Sequence, residues 1–139
     1  SNICVKRQNM YCRNIDGTIE ETIKVMIEKV YTHIPIFEND VLVGVFSENT
    51  LLDIVNKETG ILIGKDTTFR AFQDYLKIEN HSSEEFKFIS RNKNIYDIED
   101  IFKDYFTRNK RLGCVYITEN GKENEKILGM LTAWDIFGN

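Results

Sequence analysis

The chain of 139 residues holds one proline, three cysteines and two histidines. Each scarcity excludes something. Cys4, Cys12 and Cys114 are odd in number and show no Cys-x-x-Cys spacing, which argues against a disulfide framework and against a zinc site. Reduced, partly buried thiols in the cytosol are the plain reading. His33 and His81 are too few and too far apart for a histidine-based metal cluster, so no metal site is expected. A basic surplus is also missing. The formal net charge is −4, whereas a protein that coats nucleic acid usually carries excess Lys and Arg, so no nucleic-acid partner is expected. The only compact basic run, Arg108, Lys110 and Arg111, reads as a solvated loop or else as a phosphate contact. Long apolar runs are absent: Val41–Phe46 is far too short to span a bilayer. The start, Ser1-Asn2-Ile3-Cys4-Val5-Lys6, has no apolar leader region. A cytoplasmic location without membrane association is the expectation. No Ser/His/Asp set, Cys/His pairing, metal-ligand spacing or phosphate-binding loop stands out, so the chain does not read as an enzyme and needs no cofactor.

What is present is an ordinary globular composition, 42% hydrophobic, at a length that fits one domain or two subdomains sharing a core. Thr18-x-x-Glu21 has the form of a capping box. Behind it Ile19, Ile23, Met26, Ile27 and Val30 recur at helical spacing, so residues 19–31 are predicted to form an amphipathic helix. His33–Phe37 reads as a short strand. Pro35 lacks a ladder donor and belongs at a strand start or edge. Glu38-Asn39-Asp40 is a turn, Val41–Phe46 a strand, and Ser47 the cap of a helix carrying Leu51, Leu52, Ile54 and Val55. Thr67 or Thr68 caps a bridging helix with Phe69, Phe72 and Leu76 on one face.

The same order returns. Asn94 caps a helix through Ile95, Ile98, Ile101, Phe102, Tyr105 and Phe106. Leu112–Thr118 and Ile127–Leu131 are strands, separated by a polar loop with the hairpin signal Asn120-Gly121. Ile19, Thr22, Val25 and Met26 match Ile95, Ile98, Ile101 and Phe102 at an offset of 76, and Gly44–Ser47 matches Gly129–Thr132 at an offset of 85. Nine residues are therefore added in the second copy, in the helix-to-strand loop and the hairpin. Short strands at Tyr11–Asn14 and Phe86–Ser90 precede the two helices. The fold class is α/β (α+β): two β-α-β-β-α repeats, 10–58 and 85–139, joined by a bridging segment at 59–84. One repeat alone buries too little surface to be comfortably stable.

Chemistry concentrates where the last strand of each repeat enters a helix. Glycine there admits close backbone approach, and a hydroxyl at the turn caps the helix or meets a phosphate. In the second copy Asp135 follows Thr132 by three residues. A carboxylate at that point accepts two ribose hydroxyls, or simply completes a Thr-x-x-Asp cap. The duplicated unit, with His33-Ile34-Pro35-Ile36 and the endings Gly44-Val45-Phe46-Ser47 and Gly129-Met130-Leu131-Thr132-Ala133-Trp134-Asp135-Ile136, resembles a tandem pair of CBS domains, a Bateman module.

That resemblance implies two repeats packed through their sheets about a pseudo-two-fold axis, with two clefts between them. The clefts of such pairs take adenine nucleotides, and in some cases S-adenosylmethionine or a cyclic dinucleotide such as cyclic di-AMP. Carried over, Thr132 is the phosphate contact and Asp135 the ribose contact. Gly129 and Leu131 lead into them. Phe88, Ile89 and Ser90, and Cys114, Val115 and Tyr116, form the base-binding wall. His33 stands two before Pro35, at a phosphate-contact position beside Ile34. The first copy departs from the pattern: Ser47 is followed by Thr50 in place of Asp, and a threonine offers no pair of carboxylate acceptors. The implied function is regulatory sensing of AMP, ADP or ATP by a homodimer that acts on a partner protein. The alternative is a ligand-free interaction module. Trp134 stacks on a base or packs at an interface.

Overall fold

The computed structural model describes residues 4–58, 60 and 62–137. The boundary expected at residue 59 and both chain ends lie outside the described residues. The elements run β1 (Val5–Lys6), β2 (Arg13–Asn14), α1 (Ile19–Lys29), β3 (His33–Glu38), β4 (Val41–Ser47), α2 (Glu48–Lys57), α3 (Gln73–Leu76), β5 (Glu85–Ser90), α4 (Ile95–Thr107), β6 (Leu112–Thr118), β7 (Gly129–Leu131) and α5 (Ala133–Phe137). The chain divides into two compact units. One is Tyr11–Ser82; the other joins Ser1–Met10 to Ser83–Asn139.

In the unit Tyr11–Ser82 the sheet order is β2-β3-β4, with β2 parallel and β4 antiparallel to β3. The hairpin is tight because Glu38 pairs with Val41, leaving Asn39 and Asp40 as a two-residue turn at φ 50° and 63°. Asn and Asp tolerate that left-handed backbone, which matches strand twist. The core gathers Ile15, Ile19, Ile34, Ile36, Phe46 and Ile54 with Phe69, Phe72 and Leu76 of the bridging segment. Pro35 lies inside the central strand instead of at its start. β2 begins to pair only at Ile36, so at Pro35 the strand has β4 alone as neighbour, locally an edge.

Two expected caps do not form. The Thr18 side chain makes no bond to the α1 backbone and turns to Glu21 Oε2 at 3.5 Å. Neither Thr67 nor Thr68 caps the bridging segment, which is a 3₁₀ turn at Phe69–Phe72 followed by the single turn of α3. Backbone bonds hold both starts. Ile19 N–H donates to Thr67 O at 3.0 Å, Phe69 N–H to Gly17 O at 3.1 Å and Arg70 N–H to Ile15 O at 2.9 Å. The orphan amides at the first position of both elements, and that of Arg70, are thus satisfied by long-range backbone partners.

The second unit has sheet order β1-β7-β6-β5. β5 runs parallel to β6, and β7 antiparallel to it. The parallel-then-antiparallel pattern of the first unit is repeated. β4 and β7 occupy the same place in it, since Ile36 pairs with Gly44 and Ile117 with Gly129. The offset between copies is thus 76 in the helix, 81 in the middle strand and 85 in the last strand. Five residues are added before the middle strand's register and four in the hairpin. By this register His33-Ile34-Pro35 corresponds to Cys114-Val115-Tyr116. α4 is capped as expected, Asn94 Oδ1 accepting Asp97 N–H at 2.9 Å. It buries Ile98 and Phe102 over Ile89, Val115, Ile117 and Leu131. The last strand is shorter than Ile127–Leu131, and β1, which pairs Val5 with Met130 across it, is an addition the sequence does not announce.

Candidate functional site

At the end of β4, Ser47 and Thr50 close on each other. Ser47 Oγ accepts Thr50 N–H at 3.3 Å. Thr50 Oγ1 accepts Ser47 N–H at 2.7 Å and donates to Ser47 O at 2.7 Å. Both are sealed, at 2% and 1% exposure. Their neighbours behave likewise: Ile34 and Pro35 are buried, and His33, paired in register with Ser47, is half-buried with Nδ1 2.9 Å from Thr32 Oγ1. The Thr50 hydroxyl gives and accepts within the turn, so no carboxylate stands where Asp135 stands in the second repeat; the nearest, Glu48, is exposed at the start of α2.

The corresponding end of β7 is more open. Thr132 and Asp135 are half-buried. Asp135 Oδ2 accepts the Thr132 N–H at 2.8 Å and its hydroxyl at 3.2 Å. Of the Thr-x-x-Asp cap only the carboxylate half forms, since Asp135 N–H donates to Thr132 O at 3.1 Å and not to the hydroxyl; that half uses one carboxylate oxygen. Among the described residues Oδ1 has no hydrogen-bond donor. Val115 pairs with Leu131, which sets Cys114 beside Thr132 across the strands. Cys114 is buried, and desolvation pushes its thiol up to about 12 against a hydrogen bond with Tyr116 that lowers it. It is an inert thiol.

The rest of the expected site is distributed along the sheet. Leu131, Val115 and Ile89 are core residues under α4. Phe88 lies beside Tyr116, ring centroids 5.6 Å apart, with Phe86 stacked on Tyr116 at 6.5 Å. Ser90 sits at the other end of β5, opposite Thr118, its hydroxyl donating to Glu119 O at 3.1 Å. It does not converge with Thr132. The two glycines also differ from expectation. A Cβ on Gly129 would run into Cys4 Sγ and meet Val5 O at 2.8 Å, and one on Gly44 would meet Leu76 O at 2.6 Å. Each admits the chain's own backbone and not a ligand.

Charge is redistributed as well. In the run Arg108, Lys110, Arg111, two of the three cations are engaged: Arg108 pairs with Asp104 at 2.7 Å and lies over the Tyr105 ring, and Lys110 reaches Glu85 at 3.7 Å. The concentration of cations is elsewhere, in a cleft of about 530 Å³ at the Ser90 end of the second unit, lined by Lys6, Arg7, Arg91, Lys93 and Lys126. No one stretch of sequence contains them. Among the described residues no cluster of three or more His, Cys, Asp or Glu could hold a metal ion, and no helix is long and apolar enough to cross a membrane.

Residues 14–57 match the CBS domain family model, and the whole chain superposes on solved CBS-containing structures. A putative acetoin utilization protein from Vibrio cholerae gives a TM-score of 0.67 at 14% identity, over 99% of this chain and 85% of that one. The fold is a CBS-domain fold. CBSX2 in complex with AMP gives 0.62 at 18% identity, over 97% and 90% of the two chains. The CBS domain of a bacterial CNNM/CorC family Mg²⁺ transporter in complex with ATP gives 0.57 at 18%, over 97% and 81%. No curated protein matches by sequence. Within the CBS frame, the match at 14–57 covers β2 through α2, and the second β-α-β-β-α unit repeats its topology.

Proposed function

We propose that this chain is a regulatory, non-catalytic CBS pair, with repeats at 10–58 and 85–139 bridged by 59–84, that binds an adenine-containing nucleotide of the AMP, ADP or ATP type at the Thr132–Asp135 end of its second repeat. The observation that carries the reading is the Thr132–Asp135 geometry: one carboxylate oxygen holds the turn while the other meets no donor among the described residues. A ribose diol supplies two donors for such an acceptor. The first repeat has no equivalent, because Thr50 stands in place of the carboxylate and its hydroxyl is consumed by Ser47. One nucleotide bound through a ribose-holding carboxylate is therefore expected per chain. Support from relatives is limited to what two similarly folded proteins hold, AMP in one and ATP in the other.

The same reading takes a second copy of the chain as partner. Each unit carries an apolar groove in the same position of the repeat. One, of about 410 Å³, is lined by Ile23, Met26, Ile27, Val30 and Leu51 among others. The other, of about 500 Å³, is lined by Phe102, Phe106, Leu112 and Phe137 among others. Ile27 is 75% and Phe106 87% exposed, and an exposed apolar groove is the kind of surface that a partner covers. A nucleotide that binds one dimer geometry better than another shifts the population toward it, which is what a sensor requires.

The test is thermal unfolding of the native chain and of Asp135→Asn with AMP, ADP, ATP, S-adenosylmethionine and cyclic di-AMP. A ligand that binds only the folded state raises Tm with concentration, by the equivalent of about 2.7 kcal/mol at a hundredfold excess over Kd. Asn keeps a capping oxygen but loses the charge, so the expected result is an unchanged Tm without ligand and a ligand shift largely lost. If no compound raises the native Tm, or if Asp135→Asn responds as the native chain does, the nucleotide reading fails and the ligand-free interaction module replaces it.

A further inference from the structure

The cationic cleft belongs to the second unit alone and lies at the opposite end of the sheet from Thr132. Leu128, at its edge, is four residues before Thr132 along the strand direction, about 13 Å at strand rise. Three segments build it. The chain start contributes Lys6 and Arg7, fixed by β1 pairing on β7 and by Arg7 N–H donating to Leu128 O at 2.9 Å. The β5–α4 turn contributes Arg91 and Lys93, and the end of the hairpin loop contributes Lys126. The floor is apolar: Ile89, Ile98, Ile117 and Ile127 are all buried there.

Three features set this cleft apart from a solvated basic face. First, its lining holds five cations and no carboxylate, in a chain whose net charge is −4. Second, three of the five cations carry no ion pair. Arg91 pairs with Glu119 at 3.2 Å, an exposed pair of small worth. Lys6, Lys93 and Lys126 make no ion pair among the described residues. Third, the cations surround a concave, apolar-floored space of small-molecule size, within the roughly 300–1,000 Å³ of ligand pockets. A flat basic patch would suit a duplex or a membrane; a cleft does not.

We propose that this cleft is a second anion site, which takes a small organic phosphate: a multiply charged head held by Lys6, Lys93, Lys126 and the Arg7 and Arg91 guanidinium groups, and an apolar or aromatic body seated on the isoleucine floor. The charge argues for phosphate over a single carboxylate, since several converging cations are best matched by a dianion. The floor argues for an organic body over inorganic phosphate. The site stands independently of the nucleotide reading at Thr132 and Asp135.

Phenyl phosphate is the probe, titrated into the full chain with amide and isoleucine-methyl NMR, beside phenol and inorganic phosphate. The expected result is saturable shifts at Ser90–Lys93 and Leu128 amides and at Ile98 and Ile117 methyls. Inorganic phosphate should bind at least tenfold more weakly, and phenol not measurably. Lys93→Glu with Lys126→Glu, both on exposed side chains, should weaken phenyl phosphate at least tenfold without altering Tm, whereas Asp135→Asn should leave it unchanged. The proposal is overturned by absence of saturable shifts in the cleft, by full affinity in the double variant, or by shifts that centre on Thr132 and disappear in Asp135→Asn.

Discussion

Asp135 holds Thr132 through a single oxygen, with Oδ2 taking the backbone N–H at 2.8 Å and the hydroxyl at 3.2 Å. The same contact that starts α5 thus leaves half of the carboxylate for other work. Asp135→Ala should remove both the cap and the second oxygen. Loss of a side-chain cap costs about 1 kcal/mol, or a few degrees in Tm for a chain of this size. Calorimetry of Asp135→Ala and Asp135→Asn side by side separates the structural effect from the ligand effect: Ala should lower Tm, Asn should not.

Gly44→Ala should be more damaging than its small size suggests. The added methyl would stand 2.6 Å from Leu76 O and 2.8 Å from Leu76 C, both backbone atoms. Relief requires moving the bridging segment off β4. Overpacking of this kind costs about 1–3 kcal/mol, and the midpoint of urea unfolding should fall accordingly with an unchanged m-value. A variant as stable as the native chain would mean that the Leu76 backbone does not rest on Gly44.

Glu125 organises the hairpin loop of the second repeat. Its Oε1 accepts from Lys122 N–H at 2.9 Å, Asn120 N–H at 2.9 Å and Thr118 Oγ1 at 3.0 Å, and Oε2 accepts from Asn120 Nδ2 at 2.8 Å. These donors, the Lys122 backbone first, hold the carboxyl down to about 2 from an ordinary 4.5. A depressed carboxyl stabilises the fold above its unfolded value and loses that stabilisation as pH falls toward the folded one. The native chain should therefore lose stability between about pH 4.5 and 2. Glu125→Gln should be less stable at neutral pH and converge on the native curve near the acid end. Urea midpoints measured across that window check both statements; parallel curves would count against the clamp.

The apolar grooves predict association. Ile27→Glu and Phe106→Glu place charges at positions 75% and 87% exposed in the single chain, so neither should disturb the fold of its own unit. Light scattering should give a dimer mass for the native chain and a mass near 16.3 kDa for the double variant. A monomeric native chain at micromolar concentration would remove the dimer from the proposed mechanism.

Sequence alone determined the elements whose causes are local. The periodicity of α1 and α4, the left-handed tolerance of Asn39-Asp40, and the caps at Ser47 and Asn94 each depend on residues within a turn or two, so spacing suffices to read them. The duplicated topology was legible for the same reason, since matching motifs recur at fixed offsets. Tertiary structure decided whatever depends on residues far apart in the chain. The Ile19 amide at the start of α1 is held by Thr67 O, nearly fifty residues further along the chain, while Thr18 makes no cap bond. Gly44 and Gly129 serve close packing against Leu76 and against β1, partners that no local pattern names. In the basic run at 108–111, Arg108 and Lys110 were paired with Asp104 and Glu85, while a cleft of five cations was assembled from three separate segments. Local hydrogen bonding is written into short spacings; charge density and free space exist only once distant segments share a surface.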